Sequence, residues 1–231
     1  MTYLELVNAV LVRLREKKIT TIEATPFTRL IGAVVNDAKD SIESAWNWSQ
    51  LRATDSVLIG SGTQTFIVPD SFDNDYQVKT VRNLQEGYYL RYAVQPWVRA
   101  RYRDEFNDPV ASAKPRFWTW GTDDPATGNR TIELYPPSDA VYNLVIDRVK
   151  HQATLENSGD RLLIPSTPVV HLAVAMAGRE RGEIGGTPTG ELFQLADRYL
   201  SDAIAYDTAK WENEMDWYVG EDLEQTNVRG Y

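Results

Sequence analysis

The 231 residues include no cysteine. A disulfide framework, a thiolate nucleophile and a Cys-rich zinc site are therefore excluded. Histidine is scarce: His151 and His171 stand alone, without a second histidine at ligand spacing, and a lone helical histidine such as His171 reads as a packed or capping residue. There is no excess of positive charge. Asp plus Glu number 33 against 24 Lys plus Arg, a net charge of −9, so free duplex DNA and anionic lipid are repelled on average. No apolar run approaches the roughly 20 residues of a membrane span. The start of the chain places Glu5 before its basic residues, the reverse of a signal peptide, so use in a reducing cytoplasm is expected.

The familiar catalytic and ligand motifs are missing as well. Gly60-Ser61-Gly62 lies between β-like runs and reads as a hairpin turn, and Gly185-Gly186 lacks the lysine of a phosphate loop. Asp70, Asp73 and Asp75 share the loop PDSFDND, which lacks the glycine turn and bidentate glutamate of a calcium site and reads as an Asx-rich turn; Asp123-Asp124 reads the same way. No serine sits in a nucleophile elbow. No catalytic residue, cofactor or metal is expected.

What is present is a well-patterned chain with 42% hydrophobic residues, enough for a buried core. Thr2 and Glu5 form a capping-box pattern ahead of Leu4, Val7, Leu11 and Leu14, with Leu6 and Val10 widening the apolar face of a first helix. Thr25-Pro26 opens a second helix with a stripe of Leu30, Ile31, Val34, Val35, Ala38, Ile42 and Ala45, ending near Trp46-Asn47-Trp48. Short β-branched and aromatic runs follow: SVLIG, QTFIV, YQVKTVRNL, GYYLRYAV, WVRARYR, RFWTWG, RTIELYP and AVYNLVIDRV. Helix returns after Pro165, with Thr167-Pro168 as cap and proline, then GEIGGTPTG as linker and a last helix from Leu192 to Trp211. The predicted fold is α+β: a helical bundle from residues 1–50 and 160–210, an inserted antiparallel β-sandwich or barrel-like domain over 51–159, and an extended C-terminal arm over 211–231.

Two stretches qualify as interaction sites. If WVRARYR is a strand, Trp97, Arg99, Arg101 and Arg103 share one face and can grip phosphates and bases, or pair with carboxylates of the same or a neighbouring subunit; the acidic balance favours the carboxylates. The arm carries Trp211, Trp217, Tyr218 and Tyr231 among acidic residues, and reads either as a segment that orders on a partner or as a frayed terminus. Phe117, Trp118 and Trp120 read as core plus one surface aromatic, with a carbohydrate-binding sandwich as the chief alternative function and a two-carboxylate hydrolase as the third.

The order of parts then resembles a known family. YLELVNAVLVRLRE, with its Val7-Asn8 pair, is similar to the opening helix of tailed-bacteriophage head-to-tail adaptors, the connectors of the tail tubular protein A type. DAKDSIESAWNWSQL resembles the family's helix ending in a Trp-Asn-aromatic step, IELYPPSDAVYNLVIDRV its two strands divided by a proline turn, and LLIPSTPVVHLAVAMAGRERGE its proline-entered return helix. The resemblance implies a structural virion protein without catalysis. It implies a homo-oligomeric ring of about twelve subunits that docks on the portal protein at the head–tail junction. Such a ring continues the DNA channel, lets DNA pass without specific binding, and offers its other end to tail nozzle or tail-tube proteins. Trp211, Trp217, Tyr218 and Tyr231 are then candidates for the portal interface, and Arg99, Arg101 and Arg103 for subunit contacts or the DNA-facing wall.

Overall fold

The computed structural model describes residues 1–69, 71, 76–102, 110–182 and 187–210. Thr2 and Glu5 form the expected capping box: the Thr2 hydroxyl accepts from the Glu5 amide at 3.3 Å, and the Thr2 amide donates to Glu5 Oε2 at 2.8 Å. Helix α1 runs Tyr3–Arg13 and buries Tyr3, Leu6, Val7, Val10 and Leu11. Its stripe is thus centred one residue away from the Leu4–Leu14 line read from the sequence, because Tyr3 packs inward and leaves Leu4 and Leu14 half-buried. Helix α2, Pro26–Ala45, is capped by Thr25 with proline at its first turn. Ile31, Val34, Val35, Ala38 and Ile42 face inward as expected, but Leu30 is 45% exposed.

The chain forms two compact units, Met1–Gln50 with Gln152–Tyr231, and Leu51–His151. In the first, α1 and α2 pack on each other and on α4, Ser166–Glu180, which also packs against α5, Thr187–Thr208. Helix α4 begins one residue after Pro165 without a side-chain cap, so Thr167 is inside the helix, and α5 already includes the Thr187–Gly190 stretch expected as linker.

Polar side chains fix the non-helical segments of this unit. Asn8 grips Ile19 on both sides, donating to its carbonyl at 3.0 Å and accepting from its amide at 2.8 Å. Asn36 holds Leu155 in the same way, at 3.1 and 3.0 Å. One helical turn along α2, the buried Lys39 donates to the Gln152 carbonyl at 2.6 Å while the buried Glu43 accepts from the Gln152 amide at 3.2 Å. Their own Nζ–Oε2 distance is 3.5 Å. At the other end of α2, Asp207 of α5 accepts from the Ser49 amide at 2.9 Å, the Ser49 hydroxyl at 2.5 Å and the Trp46 indole at 3.1 Å. Trp48 is fully buried and its indole donates to the Ile42 carbonyl at 2.8 Å, which accounts for the Trp-Asn-Trp step after α2.

The second unit holds two open four-stranded sheets, and among the described residues neither closes into a barrel. The first has the order β1-β8-β3-β4, with β1 Arg52–Ile59, β8 Tyr142–Lys150, β3 Tyr76–Asn83 and β4 Tyr88–Tyr89, all antiparallel. The second has the order β2-β7-β6-β5, with β2 Thr65–Ile67, β7 Thr131–Tyr135, β6 Phe117–Trp120 and β5 Arg91–Tyr92. The β5–β6 pair is parallel, so this sheet is mixed rather than antiparallel. One apolar cluster draws on both sheets, with Ile59, Val81, Leu144 and Ile146 from one and Phe66, Trp118, Ile132 and Leu134 from the other.

Three sequence expectations change here. The Gly60-Ser61-Gly62 turn exists, with Gly62 at φ 79°, but β1 and β2 lie in different sheets and form no hairpin. GYYLRYAV is not one strand: Leu90 donates to the Val81 carbonyl, after which the chain crosses to the other sheet. Of WVRARYR, the described residues 97–102 form no strand. Pro96 opens a short helix α3, Gln95–Arg99, because proline lacks the N–H that a first helical turn leaves unpaired.

The clamps have pH consequences. Burial pushes the Glu43 carboxyl up from 4.5 to about 7, against the pull of Lys39. The folded state therefore holds a proton that the unfolded chain releases, and stability falls as pH rises from about 4.5 to about 7. His171, whose pKa is lowered by burial and then by Arg13, acts in the opposite sense below its ordinary value. Thermal melts of the wild type and Glu43→Gln between about pH 5 and about pH 8 separate the two, because His171 is common to both. The wild type should lose up to about 3 kcal/mol relative to the variant across that window; parallel profiles would refute the assignment. Burial raises the Asp207 carboxyl, but hydrogen bonds from Ser49, Trp46 and Lys210 outweigh it and hold the group low. Asp207→Ala leaves the partly buried donors of Trp46 and Ser49 unpaired and should cost about 2 kcal/mol in urea unfolding.

Candidate interface

Strand alternation sorts the second sheet. Trp118, Ile132 and Leu134 turn into the core, so Phe117, Glu133 and Tyr135 face away from it. Helix α3 and the turn after it cover that outer face. The Trp97 ring packs 4.9 Å from Phe117 and 5.8 Å from Tyr135, and Tyr102 lies 6.5 Å from Tyr135.

A single carboxylate anchors the cover. Glu133 is 6% exposed, and Arg99 donates to it from Nη2 at 2.6 Å and from Nε at 3.2 and 3.3 Å. The Tyr102 hydroxyl adds a bond at 3.3 Å, and its pKa is pushed up to about 12 by burial and then by Glu133, so it stays a donor at neutral pH. Arg101 folds back over Trp97, its guanidinium carbon 3.8 Å from the ring centroid, and donates to the Trp97 carbonyl at 3.2 Å. Arg91, exposed, stands opposite Phe117 in the strand register.

Arg99 thus takes the carboxylate partner that the acidic balance favoured, within its own chain, and Arg101 takes an aromatic one. Arg103 lies outside the described residues, as do Trp211, Trp217, Tyr218 and Tyr231. Glu133 and Tyr102 were not singled out from the sequence. The separation of 34 positions from Arg99 to Glu133 leaves no spacing signal; the only hint is a lone carboxylate in the apolar run TIELY.

The other candidates resolve plainly. Trp97, Phe117 and Tyr135 are tilted by 57°, 84° and 39° to one another, so they form no coplanar platform for a sugar ring. Trp118 is buried, with Phe117 and Trp120 half-buried. Asp124 accepts from the Thr127 amide and hydroxyl in an Asx turn, while Asp70, Asp73 and Asp75 lie outside the described residues. His171 stacks on Tyr199 at 4.4 Å, a packed helical histidine. Among the described residues no group of three or more His, Cys, Asp or Glu side chains converges to hold a metal ion, and no helix is long and apolar enough to cross a membrane. The strongly raised carboxyl, Glu43, is engaged with backbone and Lys39.

A family model described as SU10 adaptor protein matches residues 1–226. The chain belongs to that family. The resemblance to phage head-to-tail adaptors drawn from the sequence is borne out, and the protein is a phage structural adaptor and hence a virion component. No curated protein matches the chain. In this adaptor the Asn of the Val7-Asn8 pair has a physical task, since Asn8 is the residue that holds Ile19.

The Arg99–Glu133 pair can be weighed directly. Arg99 is half-exposed, so screening trims the roughly 3–5 kcal/mol lost on breaking a fully buried pair, and Arg99→Ala should cost about 1–2 kcal/mol. The double variant Arg99→Ala/Glu133→Ala should cost less than the two single variants added together, by about 1 kcal/mol in urea unfolding. Strict additivity would show that the pair contributes nothing.

Proposed function

We propose that this adaptor assembles as a homo-oligomeric ring of about twelve subunits on the portal, continues the DNA channel and presents its far side to tail nozzle or tail-tube proteins. The observation that carries this reading is the family match over residues 1–226, almost the whole chain. In this reading the fold is a helical bundle with an inserted β-sandwich. The exit at Gln50 and the return at Gln152 support it, because one continuous segment separates the two parts of the helical unit. The work is mechanical, without a reaction. A wall of net negative charge suits a conduit, since DNA that must slide should not be held by its phosphates.

The C-terminal arm is assigned to the portal. Trp211, Trp217, Tyr218 and Tyr231 supply aromatic anchors, which dominate protein contacts when a pocket receives them. Arg99, Arg101 and Arg103 are assigned to the subunit contact or the channel wall. Within that assignment Arg101, which has no carboxylate partner among the described residues, is better placed than Arg99, whose charge Glu133 already meets.

Mixing the purified protein with the portal of its phage and imaging by electron microscopy tests the reading. A ring stacked coaxially on the portal is expected. Folded adaptor and intact portal that do not associate would overturn it. A chain ending at Lys210 should form no stable portal complex, and unchanged binding would remove the arm from the interface.

A further inference from the structure

We infer that neighbouring subunits of the ring meet through the β unit, with an exposed aliphatic corner of the first sheet in one copy seated on the Tyr92–Val94 edge of the second sheet in the next. The inference rests on the ring reading above and adds the surface that closes the ring.

The corner is built from three exposed aliphatic side chains. Leu58 is 72% exposed, Leu84 51% and Val141 56%. Leu58 stands opposite Asn143 in the β1–β8 register, and the Leu84 amide donates to the Asn143 carbonyl at 3.0 Å, so both flank one residue. The core takes Ile59, Tyr142 and Leu144, the alternate positions, and Leu58 and Asn143 therefore face outward. Val141 lies two residues before Asn143. Two neutral contacts lie within this corner: Ser56 donates to the Asn143 side-chain oxygen at 2.5 Å, and the Asn143 backbone amide donates to the Gln85 side-chain oxygen at 2.7 Å, while Arg82, two residues before Leu84, and Asp139, two before Val141, bring opposite charges to its rim.

The second surface is on the other sheet. Tyr92 is 58% exposed and Val94 60%. They flank Ala93, whose amide donates to the Trp118 carbonyl at 2.9 Å. The Tyr92 ring meets Trp118 edge-on at 5.0 Å, which fixes its position, and Val94 caps α3.

Three observations point to a second copy as the occupant. First, the two patches lie on different sheets and differ in composition, one aliphatic and the other carrying the Tyr92 ring. A contact that repeats around a ring joins two different surfaces, whereas a two-fold dimer needs only one self-complementary surface. Second, charge favours this unit. Leu51–His151 carries 12 Lys plus Arg against 13 Asp plus Glu, so nearly all of the net −9 lies in the remaining residues, and copies approach one another here at the least electrostatic cost. Third, the sheet edges are unequal. Strands β2, β4 and β5 have two or three residues each, while β1, which carries Leu58, runs eight residues without proline, lysine or a bulge. An edge of that length invites cover by another chain.

The absence of cysteine makes the test clean. Leu58→Cys and Tyr92→Cys replace exposed residues, and melting curves matching the wild type would verify folding. The double variant is assembled on the portal, imaged, and treated with a short bis-maleimide cross-linker. A ladder of covalent multimers is expected from the double variant, and monomers alone from each single variant; Leu84→Cys with Val94→Cys should behave likewise. Rings that form but give no ladder with either pair overturn this contact while leaving the ring reading standing. Covalent dimers from Leu58→Cys alone overturn it in favour of a two-fold contact. No ring in the micrographs overturns the ring reading, and this inference with it.

Discussion

The grip of α2 on the returning chain is the constraint on which the rest depends. The β unit occupies Leu51–His151, and the helical unit is complete only if the chain comes back in register after it. Closing so long an excursion costs entropy that apolar contacts alone do not direct to one geometry. Asn36, Lys39 and Glu43 lie on one face of α2 and engage the amide and carbonyl of Gln152 and of Leu155. These side chains do what a neighbouring strand would do, supplying a donor and an acceptor to each residue held. An apolar face could bury the same area, but it could not choose between one position of the chain and the next. Buried ionic groups often stabilise little in net terms and act instead by penalising alternatives, and the Lys39–Glu43 pair fits that pattern.

The same economy appears at the exit. Asp207, near the end of α5, receives three hydrogen bonds from Trp46 and Ser49, just before the chain leaves the helical unit. Departure and return are thus both fixed by buried acids within one unit. A third buried acid, Glu133, does comparable work in the β unit by fastening α3 to the outer face of a sheet. Among the described residues the acids are therefore of two kinds: a few spent internally on backbone and guanidinium donors, and a larger set that lies at the surface.

That division explains what was legible in the sequence. Helices α1 and α2 were readable because capping and periodicity are local, and Thr2, Glu5, Thr25 and Pro26 behave as their types dictate. The β content was readable from Val, Ile, Tyr and Trp in short runs. Pairing was not. GYYLRYAV divides between two sheets because Leu90 bonds to Val81, a choice made by tertiary contact. The WVRARYR stretch shows the limit most clearly: alternating Trp and Arg suggested one face of a strand, yet Pro96 at the first turn decided for helix, and the cluster then formed around Glu133, which no spacing rule connects to Arg99. Lys39 and Glu43 were invisible for the opposite reason. Their i, i+4 placement resembles an ordinary solvated ion pair, and only the returning chain makes it a buried one.

Charge partition links these internal devices to the proposed assembly. A ring brings many copies of a −9 chain together, and self-repulsion grows with every subunit unless the contact surface is nearly neutral. The β unit meets that requirement, because its basic residues are almost as numerous as its acidic ones and several are already spent: Arg99 on Glu133, Arg148 on Asp55 at 2.6 Å, and Lys114 on Glu86 at 2.7 Å. What such a neutralised surface retains for recognition is shape and exposed apolar area rather than charge. Exposed aliphatic side chains at the Leu58 corner and beside Tyr92 would be a solubility burden on a protein meant to stay alone. In the proposed ring they are the part of the hydrophobic pattern left unsatisfied until the neighbours arrive.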